Sequence, residues 1–185
     1  MCGIVGANAQ RDVTPLLIEG LKRLEYRGYD SAGIAVLDHD KSIQRLRVVG
    51  KVRELELALT KNPVHGFCGI AHTRWATHGK PSEINAHPHM SHHNIALVHN
   101  GIIENHVKLR QELIESGYHL VSDTDSEVVA HLIHQQISKG STFLDAVKQT
   151  VAKLEGAYAL AIIAENEPQH IIAVRSGCPL VIGLG

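Results

Sequence analysis

Segments that read as strand and helix come in blocks along this chain rather than in strict alternation, and that order limits its fold more than any other feature. "CGIVGA" reads as a short buried strand. Thr14 followed by Pro15 reads as a helix cap and a first helical position. Val13, Leu16, Leu17, Leu21 and Leu24 then recur at helical spacing. "RGYDSAG" is rich in turn formers and ends that helix. "GIAVLD" and "IQRLRVVG", separated by "HDKS", predict a β-hairpin, and Val52, Leu55 and Leu59 mark a short helix.

The second half repeats the habit. "FCGIAHTR" reads as a strand that runs into "WATHGKPSEINAHPHMSHH", an irregular polar stretch of the length that usually carries function. "NIALVHNG" reads as a strand ending in an Asn-Gly turn signal. A helix through Val107, Arg110, Leu113 and Ile114 closes at Gly117. Thr124 and Glu127 form a capping-box pattern ahead of a helix over 128–137. A further helix carrying Leu144, Val147, Val151 and Leu154 closes at Gly156, and "AYALAIIAE", "HIIAVR" and "PLVIGLG" read as strands. Such block order favours an antiparallel α+β sandwich over a parallel, doubly wound sheet.

Composition narrows the functional classes. With 185 residues, 44% of them apolar and 20% charged, the chain suits one soluble domain with a substantial core, expected over residues 1–185. The net charge of -1 and the absence of a Lys/Arg block argue against a nucleic-acid or membrane surface. "AYALAIIA" is too short to span a bilayer. Cys2, Cys68 and Cys178 are far apart, odd in number and preceded by no leader, so they read as reduced thiols of a cytoplasmic protein. Histidine is abundant, at 14 residues, and densest in "HPHMSHH". Those side chains sit beside Ser, Asn, Gly and Pro, in what reads as loop. His131 and His134 fall on the side of their helix opposite Val128, Val129, Leu132 and Ile133, a solvated face rather than a ligand pair. A histidine-rich metal module is therefore the weaker reading, and no metal site is assigned.

Cys2 is the residue whose position asks for chemistry. Methionine aminopeptidase removes Met1 when the next side chain is small. The new terminus then carries a thiol and an α-amine on one carbon. An α-amine has a pKa of roughly 7.7–8.0, so part of it is neutral near physiological pH and can take the thiol proton. Alone, "MC" proves little. Four ordered motifs give it context: "MCGIVG" at the start, "EYRGYDSAG" at 25–33, "HTRWATHG" at 72–79 and "HNGIIENH" at 99–106.

Together these motifs resemble the class II glutamine amidotransferases, and more narrowly the glutaminase domains of the glutamine–fructose-6-phosphate aminotransferase family. The resemblance runs from Cys2 to the final "RSGCPLVIGLG". It implies the N-terminal-nucleophile hydrolase fold, a four-layer αββα sandwich with two antiparallel sheets and Cys2 at a strand end between them. It also implies hydrolysis of L-glutamine to L-glutamate and ammonia through a thioester on Cys2. Asn100 and Gly101 match the oxyanion hole, through a side-chain NH2 and a backbone N–H. Arg74 matches the clamp on the glutamine α-carboxylate and Asp125 the clamp on its α-ammonium, although Asp125 also suits the start of a helix. Trp75, Thr77 and His78 match a loop that closes over the substrate. Arg27 and Asp30 are assigned to architecture near Cys2, and Cys68 to core packing. Cys178 stands where a serine is more usual and receives no role.

For the full-length enzyme the resemblance implies a homodimer in which ammonia passes to sugar-isomerase domains and converts fructose 6-phosphate to glucosamine 6-phosphate. Those domains lie outside this sequence, which is expected to make ammonia but no amino sugar. No cofactor is implied, because a thiol, an amine and oxyanion donors suffice for amide hydrolysis. The competing enzymatic reading is an N-terminal-nucleophile amidase for a different amide.

Overall fold

The computed structural model describes residues 2–38, 40, 42–76 and 79–184. In chain order, β1 (Gly3–Asn8) and α1 (Thr14–Leu24) lead through a single 3-10 turn (Glu25–Arg27) to β2 (Ser31–Leu37) and β3 (Ile43–Val49). Then come α2 (Val52–Lys61), β4 (Cys68–Arg74), β5 (His89–Ser91) and β6 (Ile95–Ile103). Three helices follow, α3 (His106–Glu115), α4 (Glu127–Ser138) and α5 (Phe143–Val151), and β7 (Gly156–Ala164) and β8 (Ile172–Ser176) close the series. The strands form two four-stranded sheets of order β1-β4-β2-β3 and β5-β6-β7-β8, with every neighbouring pair antiparallel.

Alternation along the strands builds the layers, since successive side chains leave opposite faces. From β2, Ala32, Ile34 and Val36 pack with Val13, Leu17 and Leu21 at α1 and with Val52 and Leu55 of α2. Ala35 and Leu37 point the other way, into a layer shared with Ile70 of β4, Ala96 and Val98 of β6, and Ala161 and Ile163 of β7. The outer face of the second sheet, through Leu97, Leu160 and Ile162, rests on α3, α4 and α5. The result is an αββα sandwich. Because each sheet is covered on both faces, β2 and β7 read as near-continuous apolar runs rather than alternating ones. Cys68 lies in the layer between the sheets, as its strand suggested, and burial pushes its thiol up to about 11. No helix among the described residues is long and apolar enough to cross a membrane.

Several local expectations are corrected by tertiary partners. Val13, not Thr14, is the N-cap of α1, and the Thr14 N–H is satisfied by Asp12 Oδ1 at 3.0 Å. The Thr124/Glu127 capping box does not form. Glu127 instead accepts from the Val121 and Ser122 backbone N–H groups, and the Thr124 hydroxyl lies 3.0 Å from His89 Nε2. Asn100-Gly101 makes no turn; β6 runs straight through it to Ile103. On α3 the buried face is Leu109 and Leu113, while Val107 and Ile114 are exposed. The described part of "PLVIGLG", residues 179–184, forms no strand, and Val181, Ile182 and Leu184 are exposed, because an apolar run becomes a strand only where a sheet edge receives it.

Candidate active site

Pairing of β1 with β4, Gly3 opposite Thr73, sets Cys2 beside the residues that leave β4. The Trp75 backbone N–H donates to Cys2 Sγ at 3.2 Å, and the thiol points to the Trp75 carbonyl at 3.5 Å. Burial raises the pKa of this thiol, and the bond from the Trp75 N–H only partly offsets it. Among the described residues, both hydrogen-bond partners of Sγ are backbone groups of Trp75; no imidazole or carboxylate reaches it. A nucleophile here needs a base from elsewhere.

The "RGYDSAG" segment builds the wall behind Cys2. Arg27 Nε donates to the Cys2 carbonyl at 3.2 Å. The Asp30 carboxylate accepts from Ser31 Oγ at 2.8 Å and from the Ala76 N–H, and lies 3.8 Å from Arg74 Nη1. Gly28 permits this close approach, for a Cβ there would sit 2.7 Å from the Arg74 carbonyl carbon. These contacts tie Cys2, the 3-10 turn and the end of β4 into one unit.

The second sheet brings Asn100 and Gly101 from the opposite side. Asn100 Nδ2 donates to the Cys2 carbonyl at 3.2 Å. Its Oδ1 lies 3.0 Å from His72 Nε2, which is also 2.9 Å from the His99 carbonyl. His72 is fully buried, and burial pushes its pKa down to about 3, so the ring is neutral. Gly101 adopts φ +123, opposite Tyr158 of β7.

Asp125 is buried just ahead of α4. Its Oδ2 accepts from the Ile103 N–H at 2.8 Å and its Oδ1 from the Ser126 hydroxyl at 3.3 Å. That leaves Ser126 Oγ to accept from His99 Nδ1 at 2.7 Å. Arg74, also buried, donates through Nη2 to the Gly79 carbonyl at 2.9 Å. Cys2, Arg74, Trp75, His87, Gly101 and Asp125 are among the residues lining one cavity of about 20 Å³, room for a single water and not for an amino acid. A larger cavity of about 710 Å³ opens at the far end of β1, lined by Asn8, Leu37 and Phe67, away from all of these groups. Trp75 is half exposed and meets the ring of Tyr29 edge-on at 5.3 Å.

Cys2, Arg74, Trp75, Asn100, Gly101 and Asp125 are thus gathered from the ends of β1 and β4, the middle of β6 and the approach to α4. Thr77 and His78 lie outside the described residues. Sequence reasoning passed over His72, His99 and Ser126, which hold the others in place. Their signal was a histidine set inside an apolar strand, in "IAHTR" and "LVHNG". The histidines expected in loop or on a solvated face divide: His87 lies in a bend and His92 and His93 in an exposed turn, as expected, whereas His89 in β5 and His131 on α4 are corrections. His87, His89 and His131 are buried, and the His87 ring packs tilted against His72 with ring centroids 4.2 Å apart. His131 Nδ1 lies 2.8 Å from Ser91 Oγ, and His134 stacks on His92 at 3.9 Å. Helix α4 is covered on nearly every side, so its polar residues find partners inside.

Comparison with known proteins gives a consistent picture. Residues 72–182 match the profile of the glutamine amidotransferase domain family. Over all 185 residues the chain is 60% identical to the glutamine–fructose-6-phosphate aminotransferase [isomerizing] of Shewanella oneidensis and 58% identical to that of Escherichia coli strain K12. It spans about 30% of the length of these relatives. Among solved structures, a glutamine phosphoribosylpyrophosphate amidotransferase from B. subtilis, complexed with ADP and GMP, superposes with a TM-score of 0.76 at 29% identity. That match covers 89% of this chain and 35% of the other.

Proposed function

This chain belongs to the glutamine amidotransferase domain family, and on that premise we propose that residues 1–185 are one such domain, a glutaminase that releases ammonia from L-glutamine with Cys2 as nucleophile. The observation that carries the reading is the convergence on one small cavity of a thiol, a buried guanidinium and a buried carboxylate, with an Asn amide against the Cys2 backbone. An α-amino acid bearing a side-chain amide presents the complementary groups: a carboxylate for Arg74, an ammonium for Asp125 and a carbonyl for Cys2.

The steps follow from these atoms. Once Met1 is removed, the Cys2 α-amine accepts the thiol proton, the role that no described side chain fills. The thiolate attacks the side-chain amide carbon, and the oxygen that becomes negative takes hydrogen bonds from Asn100 Nδ2 and the Gly101 N–H. The C–N bond breaks, the α-ammonium returns its proton to the departing nitrogen, and ammonia leaves. Water then attacks the thioester, giving L-glutamate and the free thiol. The Gly79 carbonyl holds the Arg74 donor that the substrate carboxylate would take, so binding exchanges one acceptor for the other. The cavity of about 20 Å³ must widen to admit an amino acid, and Trp75, Thr77 and His78 are assigned to substrate contacts on the ground of the resemblance.

In a longer protein like the relatives, the ammonia would be consumed in amination of fructose 6-phosphate by further domains, within a homodimer. Turnover of amides tests the substrate assignment. 4-Aminobutanamide lacks the carboxylate and 4-carbamoylbutanoate lacks the ammonium. Each is expected to show a kcat/KM lower than that of L-glutamine by about 10²-fold or more, since a clamp would be left buried without its partner. Comparable turnover of either compound would sink the glutamine reading in favour of a different amidase.

A further inference from the structure

We propose that His72 is a positioning residue that sets the orientation of the Asn100 amide and registers the two sheets across the reacting centre; the inference rests on Asn100 serving as an oxyanion donor. His72 belongs to β4, paired with Ile4 of β1 and Gly33 of β2, in the sheet that carries Cys2 and Arg74. Asn100 belongs to β6, in the other sheet. The nucleophile and the oxyanion donor therefore ride on different sheets, and their relative placement depends on what joins them.

The hydrogen bonds leave one consistent arrangement. The His99 carbonyl can only accept, so the proton of His72 is on Nε2. Asn100 must then present Oδ1 to His72, which turns Nδ2 toward Cys2. The opposite amide orientation would set two donors against each other at His72 and two oxygens against each other at the Cys2 carbonyl. One imidazole N–H thus selects the side of the amide that faces the reaction. The ring is closed off from water, with the His87 ring packed against it at a tilt of 36°, so it stays a neutral donor through the working pH range. Nothing here requires His72 to touch substrate.

The test is a cycle of His72 and Asn100 variants on the Met1-free chain, with kcat and KM for L-glutamine read separately. His72→Leu is expected to lower kcat by about 10²-fold, as losing an oxyanion donor does, while KM moves by less than about threefold. His72→Gln, whose Nε2–H can reach the same acceptors, is expected to recover most of that loss. The double variant His72→Leu/Asn100→Ala is expected to match Asn100→Ala alone, because the histidine acts through the amide. A folded His72→Leu with full kcat, or a double variant slower than Asn100→Ala by the whole His72 factor, overturns the proposal. If Asn100→Ala itself leaves kcat unchanged, the oxyanion assignment fails and the catalytic role of His72 fails with it. Independently of activity, and should His72→Leu not fold, nitrogen-15 NMR of the native chain reads the tautomer at pH 7. The Nε2–H form is expected, and an Nδ1–H form overturns the proposal.

Discussion

Gly101→Ala is expected to destabilise the chain by roughly 2–5 kcal/mol and to slow glutamate release by about 10²-fold or more in whatever remains folded. Gly101 sits in the middle of β6 at φ +123, where a side chain is strained before any contact is considered. The added Cβ would also lie 2.1 Å from the Ala157 carbonyl oxygen and 2.7 Å from the Tyr158 Cα, both on β7. Neither is the movable end of a side chain, so the strands must part or β6 must shift. A shift moves Asn100 and the Gly101 N–H away from Cys2 together. Gly140→Ala isolates the conformational part of the cost: φ is +96 there and nothing lies within 4 Å of the new atom. Thermal melts of the two variants should separate clearly, with Gly101→Ala much the lower. Equal melting temperatures would contradict the packing argument.

Acid should unfold the protein well before its carboxylates are fully protonated. His72, His87 and His89 are buried, and burial holds each of them below the ordinary histidine value, His72 at about 3. In the unfolded chain they titrate near 6.5, so below that pH the unfolded state binds protons that the folded state refuses. Stability is therefore full above about pH 6.5 and is lost as pH falls, each histidine removing about 1.4 kcal/mol per further pH unit. Three together remove about 4 kcal/mol per unit, against a total of about 5–15 kcal/mol for an ordinary domain. Glu127 adds to the loss at lower pH. Burial works to raise its pKa but is outweighed by the His131 imidazole and by N–H bonds from Val121 and Ser122, which hold it at about 2. Its contribution is present above the unfolded carboxylate range and is lost as pH falls toward that value. Urea midpoints at pH 7.5, 6.5 and 5.5 should fall steeply only over the last interval, and His87→Phe should flatten the fall. A midpoint constant from pH 7.5 to 5 would show that these rings are not held neutral.

How much of this was legible in the sequence depends on whether a signal was local. The N-terminal cysteine and the words around Arg74, Asn100 and Gly101 are contiguous, so the groups that meet at the cavity could be named from the sequence alone. The hairpin β2–β3 and the helices at 14–24 and 52–61 also follow from local periodicity and breakers. The same locality explains the errors. Asn-Gly is a turn signal unless a neighbouring strand takes up both residues, as β7 does. Thr124 and Glu127 fit a capping box until Val121, Ser122 and His89 compete for their oxygens. His89 of "HPHMSHH" looks like a loop residue because its polar partner, Thr124, is 35 residues away, near the start of a helix. The crossing order β1-β4-β2-β3, which sets Cys2 beside Trp75, has no local signature at all.

The measurement that tests the central claim most directly is L-glutamate release from L-glutamine by chain whose intact mass shows Met1 to be gone. The account predicts steady release that drops by about 10³-fold or more in Cys2→Ala, and an equal drop in protein that keeps Met1, where the Cys2 amine is tied up in a peptide bond. Undiminished release from Cys2→Ala, or none from folded, Met1-free protein, would contradict it.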